Sequence, residues 1–319
     1  MPLLHGTAFM SDAQIAAQVL MIRPVRFAAN PETASSNRFQ QPLSSAGHDL
    51  QAQALTEFDS LIGALRTAGV NVVLFEDTLE PHTPDSIFPN NWLSLHADAT
   101  AVLYPMCAEN RRRERRPELL QALTSQHGFR IDRTIDLTHH EASGAYLEGT
   151  GSLVLDRTNR VAYACLSART DSRVLADFAR QLLYEVVTFH AFDRGGAAIY
   201  HTNVMLSLGR RIAVVCTECV RSAERAKLLQ RLTASGRTIL ELSYQQLASF
   251  AGNILELETV MGGSVMAMSE QARNALTSEQ RSLLEDCAGS IVSCPIPTIE
   301  LFGGGSVRCM LAEIHLPRA

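Results

Sequence analysis

Short apolar segments recur along this chain in a fixed order of two strands, a helix and a third strand. We count roughly four or five such units of roughly 60 residues each. Ser152–Asp156 and Val161–Leu166 predict one hairpin, which is followed by a predicted helix over Asp171–Leu183 and a strand over Glu185–Phe192. Paired strands argue against a doubly wound sheet, in which single strands alternate with helices. Since neither a linker nor a change in composition marks a boundary, the sequence predicts one α/β domain over residues 1–319.

The composition limits what this domain can do. Of the 319 residues, 46% are apolar and 19% are charged, which is enough apolar material for a sizeable core. A net charge of −5 does not provide the excess of positive charge that binding to nucleic acid or to an anionic membrane requires. No apolar run approaches the roughly 18–20 residues of a membrane helix, and the N-terminus has no signal-peptide pattern. We therefore expect no nucleic acid and no membrane among its partners.

Seven cysteines are scattered over the chain. An odd, dispersed set is unsuited to a disulfide framework, so we expect a reduced, cytoplasmic protein with at least one thiol available for chemistry. Cys216 and Cys219 form a C-x-x-C that lacks a partner pair, and His139–His140–Glu141 resembles a metal cluster only superficially. The sequence therefore predicts neither a metal nor another cofactor.

Cys309 is the first candidate for chemistry, because it follows a run of three glycines, Gly303–Gly305. Glycines let the backbone approach a ligand closely, and a thiol beside such a loop can be presented in a pocket where nearby cations favour the thiolate. The alternative interpretation is a glycine turn followed by a buried core cysteine.

His201 and Glu148 are two further candidates. His201 stands at the start of an apolar segment between polar neighbours, where it can act as a general acid or base. Glu148 precedes the turn Gly149–Gly151, where its carboxylate can face a cationic or hydrogen-bonding substrate. The plainer interpretations are a surface or capping histidine and a solvated turn carboxylate. The G-T-G run lacks the rest of a dinucleotide fingerprint and predicts no nucleotide site.

Two polar segments complete the set. Pro84–Trp92 contains the only tryptophan, Asp85 and the adjacent amides Asn90 and Asn91. Such a segment is ordinarily a turn, but it can also fix planar hydrogen-bonding groups on a pocket wall. The basic run Arg111–Arg116 is ordinarily a solvated helix face, and it can also supply a guanidinium for a carboxylate.

In order, these segments resemble the pentein, or guanidino-group-modifying, superfamily, which includes arginine deiminases, agmatine deiminases, dimethylargininases and amidinotransferases. The pattern there is Phe-x-Arg-Asp, Glu-Gly-Gly, His-x-Asp and a glycine-rich loop before Cys. The matching segments here are Phe88–Pro89–Asn90–Asn91, Glu148–Gly149–Thr150, His201–Thr202–Asn203 and Gly303–Gly305 with Cys309. The resemblance covers nearly the whole chain. It implies a five-bladed α/β propeller of ββαβ repeats with pseudo-fivefold symmetry, in agreement with the count of units.

The resemblance also implies roles for the matching residues. Cys309 is the implied nucleophile, His201 the implied general acid and base, and Glu148 the hydrogen-bonding partner that orients the site. The implied partner is a small ureido or guanidino amino acid, and no cofactor is required. A homo-oligomer is compatible with the sequence.

The substrate α-carboxylate is a further implied contact. Arg111 and Arg169 stand in contexts where arginine deiminases hold this group, and the sequence does not decide between these two and Arg112. Asp85, in the same loop as Asn91, is a second candidate carboxylate in the site.

Where arginine deiminases carry two aspartates that clamp the guanidinium, this chain carries Asn91 and Asn203. A guanidinium is a permanent cation with donors only, and two neutral amides do not balance it when it is buried. A ureido group is neutral and carries both a carbonyl acceptor and N–H donors, which amides match. Together with Met21–Pro24 and Tyr200–Met205, this exchange makes the chain similar to the citrulline-utilisation hydrolase (CtlX-like) branch. The implied activity is hydrolysis of citrulline to ornithine, ammonia and carbon dioxide.

Two other functions stay open at this point. A guanidino hydrolase or deiminase acting on arginine or a related compound would use Glu148 and Asp85 in place of the missing aspartates, and an amidinotransferase would use the same nucleophile. A non-catalytic binding protein would keep the fold, although the presence of Cys309, His201 and Glu148 weighs against it.

Overall fold

The strands of this protein form five separate sheets of three strands each in the computed structural model, which describes residues 13–41 and 49–319. In those ranges the strands are β1 (Gln18–Arg23), β2 (Asn71–Glu76), β3 (Leu93–Leu95), β4 (Thr100–Leu103), β5 (Arg133–Asp136), β6 (Val154–Asp156), β7 (Val161–Cys165), β8 (Glu185–Phe189), β9 (Leu206–Leu208), β10 (Ile212–Val215), β11 (Thr238–Glu241), β12 (Leu255–Glu258), β13 (Ser264–Ser269), β14 (Ser290–Cys294) and β15 (Ala312–Glu313). The helices are α1 (Leu50–Thr67), α2 (Glu109–Arg112), α3 (Pro117–Ser125), α4 (Gly149–Ser152), α5 (Ser172–Leu182), α6 (Ser222–Ala234), α7 (Tyr244–Ala248), α8 (Glu270–Ala275) and α9 (Ser278–Ala288).

Every sheet is built in the same way. Its middle strand pairs antiparallel with one neighbour and parallel with the other, as β4 does with β3 and β5. A parallel pair needs a crossover connection, and a helical segment supplies it in each unit. Helix α5 connects β7 to β8, for example, and α6 connects β10 to β11. The predicted α/β class with repeated ββαβ units is therefore confirmed.

The first sheet contains both ends of the described chain. β15 pairs antiparallel with β1, so that Val19 faces Glu313, and β1 pairs parallel with β2. Strands from different sheets also meet, because β15 contacts β3, β6 contacts β9, and β9 contacts β12. These contacts bring Cys309, which lies just before β15, beside sheets that form much earlier in the chain.

Helix α1 illustrates how the units pack. Its buried face against β14 and β2 includes Phe58, Leu61, Ile62 and Leu65. The chain leaves the helix through Gly69, whose φ of +85° is favourable for glycine and ends the helix where the sequence predicts. Like the other helices in the described residues, α1 falls short of the length and apolarity that a membrane crossing requires.

Two predicted helices are each split in two. The helix predicted over Arg111–Gln126 consists of α2 and α3, because Pro117 has no N–H to donate to a continuing helix and begins α3 instead. The helix predicted over Glu270–Leu284 consists of α8 and α9. Thr277 begins the second of these, since its side chain accepts the backbone N–H of Gln280.

A third difference from the sequence prediction concerns the site. The strand predicted over Asn203–Leu208 begins only at Leu206, and Thr202–Val204 form a short 3-10 turn in front of it. This turn places His201 and Asn203 just before the start of β9, where side chains from neighbouring sheets can contact them.

Candidate active site

A polar residue precedes the first strand of each sheet. Asn91 precedes β3, Glu148 precedes β6, Asn203 precedes β9 and Cys309 precedes β15. The corresponding position before β12 is held by Asn253. The short turns that carry Asn91, Glu148 and Asn203 also contact one another. The repeat thus brings a side chain from each of five units to one place.

The predicted site residues surround a small, narrow cavity. Those in its wall are Cys309, His201, Asn91, Asp85, Arg111 and Arg169. Glu148 and Asn203 lie directly behind the wall, the first bonded to His201 and the second in contact with Cys309. All eight residues are at most 3% exposed. Arg112 is outside the wall, and its Nε donates to the backbone carbonyl of Met106.

Glu148 and His201 form a buried hydrogen-bonded pair. Nε2 of His201 lies 2.8 Å from Oε2 of Glu148. Because a carboxylate only accepts, Nε2 carries the proton and the lone pair of the neutral ring is on Nδ1. Oε1 of Glu148 accepts the backbone N–H of Cys107 at 3.0 Å, which holds the carboxylate in place. The pair can therefore present an unprotonated Nδ1 to a reacting group.

The surrounding charges favour an anionic Glu148 beside a neutral His201. Burial raises the pKa of Glu148, but Arg169, the hydrogen bond from His201 and Arg111 outweigh it and hold that pKa well below its usual value. Burial lowers the pKa of His201 to about 4, and the cations Arg169 and Arg111 act in the same direction against the effect of Glu148. At neutral pH His201 is therefore a base rather than a cation.

The glycines after Glu148 allow the turns to approach one another. A Cβ at Gly151 would lie 2.5 Å from Nδ2 of Asn91 and 2.7 Å from Nδ1 of His201. Gly149 has a φ of +45°, and a Cβ there would collide with the backbone carbonyl of Asn90. The close approach of neighbouring turns therefore explains the G-T-G run.

Cys309 lies in a short 3-10 turn, Val307–Met310, behind the glycine run. Its Sγ is 3.3 Å from Nδ2 of Asn253 and 3.6 Å from Nδ2 of Asn203. A Cβ at Gly305 would lie only 3.3 Å from the Cβ of Cys309, so the glycine leaves room beside the thiol. Two amide groups thus contact the sulfur of Cys309, which also lies in the wall of the cavity.

Asn253 is the residue of this site that the sequence analysis missed. It is fully buried, and its Nδ2 also donates to the backbone carbonyl of Asn203 at 3.0 Å. That carbonyl only accepts, which fixes the orientation of the amide. No motif surrounds Asn253 in the sequence. The signal that could have found it is the repeat, because the other four units carry a predicted polar residue at the equivalent position.

Arg111 lies at the site, but most of its donors are already engaged. Nε and Nη2 donate to the two carboxylate oxygens of Glu114 at 2.8 and 2.9 Å. Nη2 also donates to the backbone carbonyl of Phe88 at 3.3 Å, and Nη1 donates to Oδ1 of Asn91 at 2.8 Å. Four of the five N–H donors of a guanidinium are therefore used within the protein. The clamp on a substrate carboxylate stays a prediction for Arg111, and its observed contact orients Asn91.

Asp85 and Arg169 are the other charged groups in the wall. Oδ2 of Asp85 accepts from Asn30 at 2.8 Å, whereas Oδ1 is buried without a hydrogen-bond partner among the described residues. Burial raises the pKa of Asp85 against the opposing effect of nearby cations. Nη2 of Arg169 donates to Oγ of Ser36 at 2.6 Å and to the backbone carbonyl of Thr33 at 3.2 Å.

The sequence matches the profile of the eukaryotic N,N dimethylarginine dimethylhydrolase family over residues 23–316, which is most of the chain. The chain belongs to this family. The family is one of the pentein superfamily of guanidino-modifying enzymes, so the resemblance to that superfamily is confirmed, while the CtlX-like branch stays a prediction. No curated protein matches the sequence significantly.

Solved structures share the fold of this family member at low sequence identity. One such structure is the apo form of ArgZ, an arginine dihydrolase from the ornithine–ammonia cycle in Cyanobacteria. It superposes on this protein with a TM-score of 0.73 at 16% sequence identity, and the match covers 95% of this chain and 41% of that chain. The N-terminal domain of ArgZ, as a substrate-bound mutant, gives 0.70 at 17% identity, over 93% and 97%. A dimethylarginine dimethylaminohydrolase variant in an adduct with S-methyl-L-thiocitrulline gives 0.63 at 17% identity, over 94% and 100%. The chain thus spans about two-fifths of the length of full ArgZ, and these similarities establish the fold.

Proposed function

We propose that this protein is a cysteine-dependent hydrolase of a ureido amino acid, with citrulline as the substrate. The observation that carries the proposal is the orientation of Asn91. Nη1 of Arg111 carries only hydrogens, so the amide atom 2.8 Å from it has to be the oxygen of Asn91. Nδ2 of Asn91 then lies on the side of Gly151 and His201, where it offers hydrogen-bond donors.

A donor at this position suits a ureido group. The carbonyl oxygen of citrulline accepts a hydrogen bond, whereas a guanidinium has no acceptor. One hydrogen of Asn91 Nδ2 is used by Oδ1 of Asn90 at 3.1 Å, which leaves the other for the substrate. Glu148 accepts from Cys107 and His201 and also forms an ion pair with Arg169 at 3.4 Å, so its negative charge is already balanced within the protein. A neutral substrate avoids the cost of a buried and poorly paired cation.

The first half of the proposed reaction forms a covalent intermediate. Nδ1 of His201 accepts the thiol proton as Sγ of Cys309 attacks the ureido carbon. Glu148 stabilises the imidazolium that results. The same proton then passes to the substrate nitrogen on the ornithine side as its bond to the ureido carbon breaks. Ornithine leaves, and a carbamoyl group stays attached to the sulfur of Cys309 as a thiocarbamate.

Water completes the reaction. His201 takes a proton from the water that attacks the carbamoyl carbon, and it returns the proton to the sulfur as the carbon–sulfur bond breaks. The released carbamic acid decomposes to ammonia and carbon dioxide. One citrulline and one water therefore yield ornithine, ammonia and carbon dioxide, with no oxidant, reductant or cofactor.

The charged end of an amino acid has complementary groups in the same cavity. The free Oδ1 of Asp85 suits the α-ammonium group. Arg169 suits the α-carboxylate, which would replace the contacts of that guanidinium with Ser36 and Thr33. In this proposal Arg111 acts on the substrate through Asn91 rather than through a direct clamp.

We further propose that the five sheets close into the five-bladed propeller of the superfamily, with residues 1–319 as one domain. The strand contacts described above run from sheet to sheet. A parallel bridge between Ala16 and Leu257 connects the segment before β1 to β12, and another between Leu95 and Ile314 connects β3 to the segment after β15. A reduced compartment agrees with seven unpaired cysteines. A small-molecule partner and a homo-oligomeric state belong to the same proposal.

Arginine or a methylated arginine is the second candidate substrate. The family profile is named for dimethylarginine, and ArgZ is an arginine dihydrolase. The observation in this chain that favours a cationic substrate is the unpartnered, buried Oδ1 of Asp85, which can also accept from a guanidinium.

Incubation of the full chain with citrulline, arginine or N,N-dimethylarginine separates these candidates. Ornithine and ammonia from citrulline would support the proposal. Citrulline formed from arginine or dimethylarginine would replace it by the second candidate, and failure to turn over any of the three would favour a binding protein. Cys309→Ala should abolish turnover, whereas Cys287→Ala, at a half-buried thiol outside the cavity, should leave it unchanged. Persistent activity in Cys309→Ala would refute the assigned nucleophile.

A further inference from the structure

A second group of ligand-type side chains lies at the surface, between the 3-10 turn Thr138–Ser143 and helix α5. Among the described residues, His139, His140 and Asp177 form a group whose ligand atoms all lie within 4.8 Å of one another. We propose that these three residues bind a divalent transition-metal ion of the zinc type. This site is separate from the cavity and plays no part in the proposed hydrolysis.

The sequence motif His139–His140–Glu141 points to the wrong carboxylate. Glu141 accepts the backbone N–H of Met106 at 2.8 Å and forms an ion pair with Arg115. Its place in the cluster is taken by Asp177, which helix α5 supplies from the next unit. The tertiary structure therefore assembles a ligand set that the local sequence does not contain.

His139 is held with a lone pair facing Asp177. Its Nδ1 lies 3.1 Å from the backbone carbonyl of Asp136, which only accepts, so Nδ1 carries the proton. Nε2 of the neutral ring is then an acceptor, and it lies 3.8 Å from Oδ2 of Asp177, which is also an acceptor. Two acceptors that face each other can share a cation, and a metal ion is one cation that fits. Metal-binding histidines are commonly oriented by such a hydrogen bond from the other ring nitrogen.

The two oxygens of Asp177 are divided between the helix and the cluster. Oδ1 accepts from Arg180 and Gln181, and Oδ2 lies 3.1 Å from Nε2 of His140. Oδ2 of Asp177 lies 3.1 Å from Nε2 of His140 and 3.8 Å from Nε2 of His139. Around a tetrahedral ion with bonds of ~2.0–2.1 Å, two ligand atoms are ~3.3 Å apart, which is between these two distances. His139 is 62% exposed in its side chain, so a small rotation of its ring can close the site.

The ligand chemistry selects the class of metal. Two imidazoles and one carboxylate suit Zn²⁺ and its neighbours in the first transition series, while Ca²⁺ and Mg²⁺ prefer oxygen ligands. Water would occupy the remaining coordination position. Binding displaces the proton from Nε2 of His140, which then carries its hydrogen on Nδ1. The ion would join the turn to helix α5, and that turn leads directly into the segment that carries Glu148.

Zinc titration of the full chain by calorimetry, with Co²⁺ as a spectroscopic probe, tests the proposal. We expect one equivalent of Zn²⁺ to bind, and bound Co²⁺ to show visible bands without a thiolate charge-transfer band in the near-ultraviolet. His139→Ala and Asp177→Asn should each weaken Zn²⁺ binding by ~10-fold or more, since even loss of an outer hydrogen-bond partner has such an effect at metal sites. His190→Ala is the matched control, because His190 also pairs with a surface carboxylate, Glu224, at 3.0 Å.

Thermal unfolding supplies a second readout. Zn²⁺ should raise the Tm of the wild-type chain and of His190→Ala, because this ligand set is assembled only in the folded state, and should raise it less in His139→Ala. Equal Zn²⁺ affinity in wild type and in both ligand variants would overturn the proposal. So would a Co²⁺ spectrum dominated by thiolate charge transfer.

Discussion

Asn253 holds two elements of the site through one side chain. Its Nδ2 lies 3.3 Å from Sγ of Cys309 and 3.0 Å from the backbone carbonyl of Asn203. The carbonyl fixes the orientation of the amide, and the amide in turn fixes the position of the sulfur relative to the turn before β9. Asn253 is therefore a positioning residue for Cys309 in the proposed reaction.

Substitution of Asn253 by Ala should lower kcat for the proposed substrate by roughly 10- to 100-fold, because small displacements of a reacting atom have effects of this size. KM should change little. The free energy of unfolding should fall by about 1–3 kcal/mol, since the carbonyl of Asn203 loses its buried partner. Steady-state kinetics and urea unfolding measure the two effects. Asn274→Ala, at an exposed asparagine, is the control, and equal kcat values in the two variants would contradict the positioning role.

The hydrogen bond between Arg111 and Asn91 makes the substrate preference testable. Asn91→Asp places a carboxylate 2.8 Å from the guanidinium and removes the donor on the side of His201. Turnover of citrulline should fall by ~30-fold or more, which corresponds to ~2 kcal/mol of lost transition-state stabilisation. Binding of arginine should strengthen at the same time. Parallel assays with the two amino acids measure the change, and undiminished citrulline turnover would show that Asn91 does not contact the ureido oxygen.

Gly151 tests how closely the turns must approach. Gly151→Ala would put a methyl group 2.5 Å from Nδ2 of Asn91 and 2.7 Å from Nδ1 of His201, so both side chains must move. We expect a loss of kcat of ~100-fold. Gly63→Ala is the matched control, because Gly63 lies in α1 with no atom within 4 Å of the new Cβ. That variant should keep full activity and gain about 0.5–1 kcal/mol of stability. Equal kcat values in Gly151→Ala and Gly63→Ala would mean that the turn after Glu148 can shift to accommodate the methyl group without disturbing the site.

The buried imidazole of His201 should make stability depend on pH. Its pKa is about 4 in the folded protein, against 6.5 for an exposed histidine. Between these values the unfolded chain binds more protons, so the free energy of unfolding falls as the pH falls from about 6.5 to about 4. At about 1.4 kcal/mol per pKa unit, His201 accounts for a loss on the order of 3 kcal/mol.

Urea unfolding over this pH window measures the effect. His201→Gln keeps a donor for Glu148 but does not titrate, so its stability should fall less steeply with pH than that of the wild type. His315→Gln provides a comparison, because burial also lowers the pKa of His315 to about 4. A slope in His201→Gln identical to that of the wild type would mean that His201 is not buried in its neutral form.

The repeat and most of its elements could be predicted from the sequence, because apolar spacing and glycine stops act over a few residues. Helix α1 and its end at Gly69 are examples. The start of α3 at Pro117 was also a local signal, because proline cannot continue a preceding helix. The 3-10 turn before β9 had no such signal, because contacts with neighbouring turns decide its shape.

For the site, the residue types alone indicate which groups can react. A thiol, an imidazole and a carboxylate have their chemistry wherever they lie, and their order along the chain indicated the superfamily. Which hydrogen-bond donors and acceptors are still free depends on the folded structure. The guanidinium of Arg111 donates to Glu114 and Asn91, and the amide of Asn253 contacts the sulfur of Cys309. Oδ1 of Asp85 has no hydrogen-bond partner among the described residues. The physical reason is that hydrogen-bonding capacity is consumed by whichever residues the fold brings within about 3 Å, and these residues come from separate sheets.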